Sequence, residues 1–146
     1  MEPGSGSFAQ RLYIWERVLD LIRARPVTGW GLETLGTVFP YDRSSLVEIF
    51  GLKPVIVDRA HNDLLQVTVA MGIPGALAYL LFWGTVIRAG WRLCRGTSGT
   101  DRVLTAGWLS ALVAYLIQLQ FSFSLVAVAP VVWLMAGAAC GWEASR

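Results

Sequence analysis

The stretch Asp58-Arg59-Ala60-His61-Asn62-Asp63-Leu64-Leu65-Gln66 decides how the chain is read. It contains the only histidine of the protein and gathers acids, a base and amides around it. From Leu64 onward the character of the chain changes: the 24 residues to Ile87 carry no charge. A segment of that length and composition is compatible with a bilayer core, which roughly 20 apolar residues cross as a helix. The densest set of reactive side chains thus stands where a charged segment meets a membrane-compatible one.

Working outward, the charges are unevenly placed. Residues 1–60 hold seven basic and seven acidic side chains, whereas residues 61–146 hold five and three. With 55% hydrophobic and 15% charged residues, the chain is more apolar than an ordinary soluble domain. A net charge of +2 with no basic stripe excludes a phosphate-backbone binder, so no nucleic-acid partner is expected. Cys94 and Cys140 belong to neither a CxxC nor a Cys/His set, which predicts free thiols and no metal site.

Toward the C-terminus, Pro74 to about Leu93 reads as a first membrane span, with Pro74 opening the helix after Gly72-Ile73. Residues 96–102 read as a short loop. Val103 to Trp142 then runs 40 residues without a charge. A single helix of that length would reach ~60 Å, about twice the hydrocarbon thickness, so the segment must fold back. The polar residues Gln118, Gln120, Ser122 and Ser124 mark the turn. Spans are expected at 103–119 and 125–141, with Pro130 as a candidate kink in the second. Arg88, Arg92, Arg95 and Arg102 flank the first loop and place it in the cytoplasm. Residues 1–73 are then extracytoplasmic and the C-terminus is cytoplasmic.

Toward the N-terminus, residues 1–7 read as a flexible leader rich in glycine and serine. This polar start, with no signal peptide, suggests the C-terminal portion of a longer protein or a gene cut short. Residues 8–25 predict an amphipathic helix with Phe8, Leu12, Trp15, Leu19 and Ile22 as its apolar stripe and Val18 beside them. Arg11 falls inside the apolar arc. Either it snorkels to water near a helix start, or it is a cation held against an apolar wall to meet an anion. Pro26 ends the helix, because the residue before a proline avoids helical geometry. Val27 to Gly36 is a glycine-punctuated turn. Its Gly29-Trp30-Gly31 is no dinucleotide fingerprint, since Thr34 stands where a third glycine would be needed. Residues 37–60 read as an ordered loop with a short helix around Ser45 to Phe50. Asp58 or Asn62 is expected to cap the helix that follows. The architecture expected is all-α and membrane-integral: an amphipathic extracytoplasmic helix and loop, then three transmembrane helices.

Arg11 in its aromatic-rich helix, then Arg25-Pro26-Val27-Thr28-Gly29-Trp30-Gly31, then His61-Asn62-Asp63-Leu64-Leu65-Gln66 ahead of Gly72-Ile73-Pro74-Gly75, resembles the O-antigen ligase and polymerase superfamily. The resemblance covers Phe8 to about Leu93, and the last two spans loosely. It implies a GT-C-like fragment of a glycosyltransferase in the bacterial cytoplasmic membrane. Such enzymes move a glycan from a polyprenyl diphosphate carrier to an acceptor sugar or glycolipid, with no metal, nucleotide sugar or other cofactor. The resemblance carries catalytic roles to His61 and Arg11. Arg59, Asn62 and Asp63 are substrate-binding candidates by proximity alone. Family members usually have many more spans than three, which implies further N-terminal spans as partners. The alternative is a non-catalytic membrane fragment or docking module that lacks them.

The residue types suit that chemistry. A diphosphate leaving group is met by guanidinium groups through bidentate hydrogen bonds. An acceptor hydroxyl loses its proton as it attacks, and an imidazole titrating near neutrality can take it. For His61 the plainer role is a helix-start histidine bonded to a backbone carbonyl. For Arg59 and Asp63 it is a solvated helix N-terminus, where an acid is favourable.

Overall fold

The computed structural model describes residues 7–41, 50, 56–122 and 128–144. Among these residues every regular element is a helix. The chain forms two compact units, Met1–Leu77 and Ala78–Arg146.

In the first unit, helix α1 spans Ser7–Ala24 and α2 is a single turn, Leu35–Val38. Helix α1 stops where Pro26 predicts it. Its last bond runs from the Arg25 N–H to the Leu21 carbonyl at 3.2 Å. The face that α1 buries differs from the expected stripe. Tyr13, Ile14, Val18, Leu21 and Ile22 enter the core with Leu35, Phe39, Val57, Ala60 and Val69. Phe8, Leu12 and Leu19 remain 62%, 48% and 40% exposed. At ~100° per residue, the apolar residues of α1 run more than halfway round the helix. Periodicity alone therefore cannot choose the buried arc. Tyr13 is drawn inward by edge contacts with Phe39 and Phe50, each at 6.3 Å between ring centroids. The short helix expected around Ser45 to Phe50 lies outside the described residues, apart from Phe50, which is helical.

Helix α3, Asp63–Gly96, begins in the first unit and is broken at Gly72 (φ 73, ψ −178), a conformation essentially reserved for glycine. The break leaves carbonyls without helical donors. Val69 and Ala70 would ordinarily accept from residues 73 and 74. Pro74 has no N–H, and the Ile73 N–H turns to the Pro26 carbonyl at 2.7 Å. The glycine-punctuated turn supplies what is missing: the Trp30 and Gly31 N–H groups donate to Val69 and Ala70, each at 2.9 Å. The approach is so close that a Cβ on Gly29 would meet the Ala70 carbonyl and the Gly72 nitrogen. One on Gly72 would meet the Val27 carbonyl. The two glycine motifs of the sequence are thus two halves of one joint.

In the second unit, the rest of α3 packs with α4, Gly99–Leu119, and α5, Ala129–Ala144, around Trp83, Val86, Leu112 and Ala136. Phe82 and Trp83 both contact Trp133, at 4.9 and 5.3 Å between ring centroids. Trp108 lies where a Cβ on Gly90 would be, so a missing side chain lets α3 and α4 approach.

Two helices are long and apolar enough to cross a membrane, Asp63–Gly96 and Gly99–Leu119. After its break, α3 continues for ~36 Å, enough for the ~30 Å hydrocarbon core. The connection after it is shorter than expected, because Gly99 to Arg102 are already helical and only Thr97 and Ser98 are not. Helix α4 ends at Leu119, within the polar cluster expected to turn the chain. At 16 residues α5 is ~24 Å long and does not by itself span that core. Pro130 sits in the first turn of α5, where no N–H is needed, and so opens the helix rather than kinking it.

Candidate functional site

The nine-residue stretch is built as a helix start. Asn62 is the cap: its side-chain oxygen accepts from the Leu65 N–H at 2.9 Å, while its carbonyl accepts from the Gln66 N–H at 2.9 Å. Asp63 occupies the first turn of α3, where its charge is favourable toward the free N–H groups. Gln66 reaches back past the cap, and its side-chain oxygen accepts from the Ala60 N–H at 2.8 Å. The Ala60 carbonyl is also taken, by the indole N–H of Trp15 on α1 at 2.9 Å. Ala60 is fully buried, with both backbone polar groups satisfied by side chains from different helices.

His61 follows directly, with its backbone in the left-handed region at φ 51. Histidine is one of the few side chains enriched there. Its imidazole is held below the usual histidine value of 6.5, first by burial and then by the positive charge of Arg11. The Asp58 carboxylate pulls the other way. Arg11 lies on α1, one turn before Trp15, so 50 residues of sequence close into a single electrostatic neighbourhood. Of the five candidates from the sequence, Arg11 and His61 are brought together.

The other three are engaged elsewhere. Arg59 pairs with Glu33 at 3.0 Å, in an ion pair whose side chains are 39% and 67% exposed. Asn62 is committed to its cap and Asp63 to the first turn. Among the described residues no group of three or more His, Cys, Asp or Glu side chains stands ready to hold a metal. A neutral imidazole beside a fixed cation can accept a proton at neutral pH while the cation meets an anion.

Sequence reasoning placed Trp15 in an apolar stripe and missed its bond to Ala60. The available signal was the indole N–H itself, which seeks a partner when partly buried. Trp30 follows the same rule: its N–H donates to the Leu21 carbonyl at 2.9 Å, and Arg25 stacks over its ring at 4.1 Å. That fixes the joint of the two glycine motifs to the end of α1.

A family model described as O-antigen ligase matches residues 2–80, the part that holds all of these contacts. A Rickettsia conorii protein provisionally named a polysaccharide ligase is 34% identical over 76 residues. The matched segment makes up 51% of this chain but 18% of that relative, so the chain covers a minor part of its relative's length. No solved structure matches the chain.

Proposed function

The chain belongs to the O-antigen ligase family, and from that premise we propose that it is the site-bearing part of a membrane glycosyltransferase of cell-surface polysaccharide assembly. The donor is a glycan on a polyprenyl diphosphate and the acceptor a sugar hydroxyl of a glycan or glycolipid. The observation that supports this reading is the convergence of Arg11 and His61 from distant parts of the sequence.

In the proposed reaction the acceptor oxygen attacks the anomeric carbon of the donor. The bond from that carbon to the diphosphate oxygen breaks, and the diphosphate leaves on its lipid carrier. His61 takes the hydroxyl proton, a contribution typically worth ~10²–10⁴ in rate. Its lowered proton affinity keeps it neutral, and so ready to accept, at neutral pH. Arg11 meets the charge that develops on the leaving diphosphate, where a fixed cation in a water-poor site acts strongly. Arg59, Asn62 and Asp63 line the approach of substrate. The step uses no metal and no cofactor.

The membrane placement belongs to the same proposal. Three spans of a GT-C-like architecture cross the bacterial cytoplasmic membrane, the third containing α5. The arginines at 88, 92, 95 and 102 hold their connection in the cytoplasm. The segment 1–73 then faces the extracytoplasmic side, the C-terminus returns to the cytoplasm, and further spans complete the cavity.

The test is transfer in cells with His61→Gln or Arg11→Gln introduced into the whole protein. Both variants should insert into the membrane at parental levels and yield no ligated or polymerised glycan. Product at the parental level from both would remove this pair from the reaction.

A further inference from the structure

We propose that Trp15 and Gln66 are positioning residues: by holding the two backbone polar groups of Ala60 they fix where His61 stands relative to Arg11. The inference rests on the reading of His61 and Arg11 given above.

Its geometry is a clamp of two bonds on one residue. The Trp15 indole donates to the Ala60 carbonyl at 2.9 Å, and the Ala60 N–H donates to the Gln66 side chain at 2.8 Å. Ala60 carries no side chain to anchor it beyond one methyl, and it belongs to neither helix. Beyond the packing of that methyl in the core, the orientation of its peptide groups is set by the two long side chains. Those side chains come from the elements that matter to the pair. Trp15 lies one turn after Arg11 on α1, and Gln66 lies in the turn of α3 that Asn62 caps immediately after His61. The clamp thus ties the helix bearing the cation to the segment bearing the base.

The backbone of His61 gives a reason for such a device. A non-glycine residue at φ 51 is held against its backbone preference and persists only where its surroundings over-determine it. On one side Asn62 is fixed by its cap, and on the other Ala60 is fixed by the clamp. With Ala60 released, His61 is free to relax toward ordinary backbone geometry. Its ring then moves toward solvent and away from the Arg11 charge.

The experiment uses the titration of His61 in the 146-residue chain held in detergent micelles, where the only histidine gives an unambiguous imidazole resonance. Trp15→Phe keeps a ring and removes the N–H donor. Gln66→Met keeps the length and removes the acceptor. Each should raise the His61 pKa toward 6.5, and each should shrink the upward shift that Arg11→Gln causes in the parent. Val18→Ala, which weakens the same core without touching the clamp, should leave the titration where it was. If Trp15→Phe and Gln66→Met keep both the parental titration and the parental response to Arg11→Gln, the clamp does not position His61. A variant that loses its helix content assigns these side chains to the core alone and equally overturns the proposal. Because no glycan transfer is measured, an inactive pair and a failed clamp give different results.

Discussion

The backbone N–H of Gly31 donates to the Ala70 carbonyl at 2.9 Å, and Pro74, which would serve that carbonyl in an unbroken helix, has no N–H to give. A proline read in isolation marks a helix break. Here it also creates the acceptor that a distant turn needs. The joint tolerates no side chain at Gly29 or Gly72, both at positive φ.

Gly72→Ala should therefore be among the most damaging single changes in the first unit. It adds backbone strain of ~1–3 kcal/mol and a collision with the Val27 carbonyl, for a total loss of about 2–4 kcal/mol. Gly29→Ala should behave similarly. Gly84→Ala and Gly107→Ala, with open space at the Cβ position, should be neutral or stabilising by ~0.5–1 kcal/mol. Thermal unfolding in micelles measures all four. Equal losses at Gly72 and Gly84 would show that the close approach is not what demands glycine.

The two apolar arcs of α1 predict opposite responses. Val18 is fully buried in the core, and Val18→Ala removes about two methylene equivalents, ~1.6 kcal/mol by transfer alone and about 2–3 kcal/mol with the cavity left behind. Leu12 is half exposed, and Leu12→Ala should cost this chain less than ~1 kcal/mol. Denaturant titration of the two variants decides which arc faces the core. A larger loss at Leu12 would restore the stripe that periodicity suggested.

What could be read in the sequence follows from how local each cause is. The end of α1 at Pro26 and the break before Pro74 depend on a few adjacent residues and were legible, and the cap was narrowed to Asp58 or Asn62, of which Asn62 is the one used. So were the two apolar runs, because the absence of charge needs no partner to be seen. The buried arc of α1 was not, since the choice between Ile14 and Leu12 rests on Phe39 and Val57 far along the chain. The joint between Trp30 and Val69, the Arg59–Glu33 pair and the Trp15 bond to Ala60 are likewise long-range. Backbone groups exchanged across such distances leave no periodic trace, although the glycines that permit them stand out one by one.

Asn62 offers a separation of structural from substrate roles. Its side-chain oxygen caps α3 through the Leu65 N–H, so Asn62→Ala should cost ~1 kcal/mol. Asn62→Asp keeps an oxygen acceptor and should hold parental stability, because aspartate is as good a cap. Unfolding and transfer are measured on the same two variants. Loss of transfer in Asn62→Asp at parental stability, with the His61 titration unmoved by the added carboxylate, identifies an amide contact to substrate. Parental transfer in that variant confines the residue to its cap.

His61 makes stability depend on pH with a definite sign. Burial first, and Arg11 second, hold its folded proton affinity below that of the unfolded chain, whose value is 6.5. Between the lowered folded pKa and 6.5 the unfolded chain binds more protons, so stability rises with pH across that window. The contribution is complete above 6.5 and is lost as pH falls through the folded value. His61→Gln should flatten this part of the profile. Asp58→Asn removes the charge that opposes the shift, so it should lower the folded pKa and widen the window. Arg11→Gln should raise it and narrow the window. Unfolding free energies measured from about pH 5 to 8 bracket the range in which a histidine titrates. A window that narrows in Asp58→Asn would mean that this carboxylate does not act on His61 through its charge. The same ordering should hold for the histidine resonance, which follows the folded state alone and so separates a change at the site from a change in the unfolded chain.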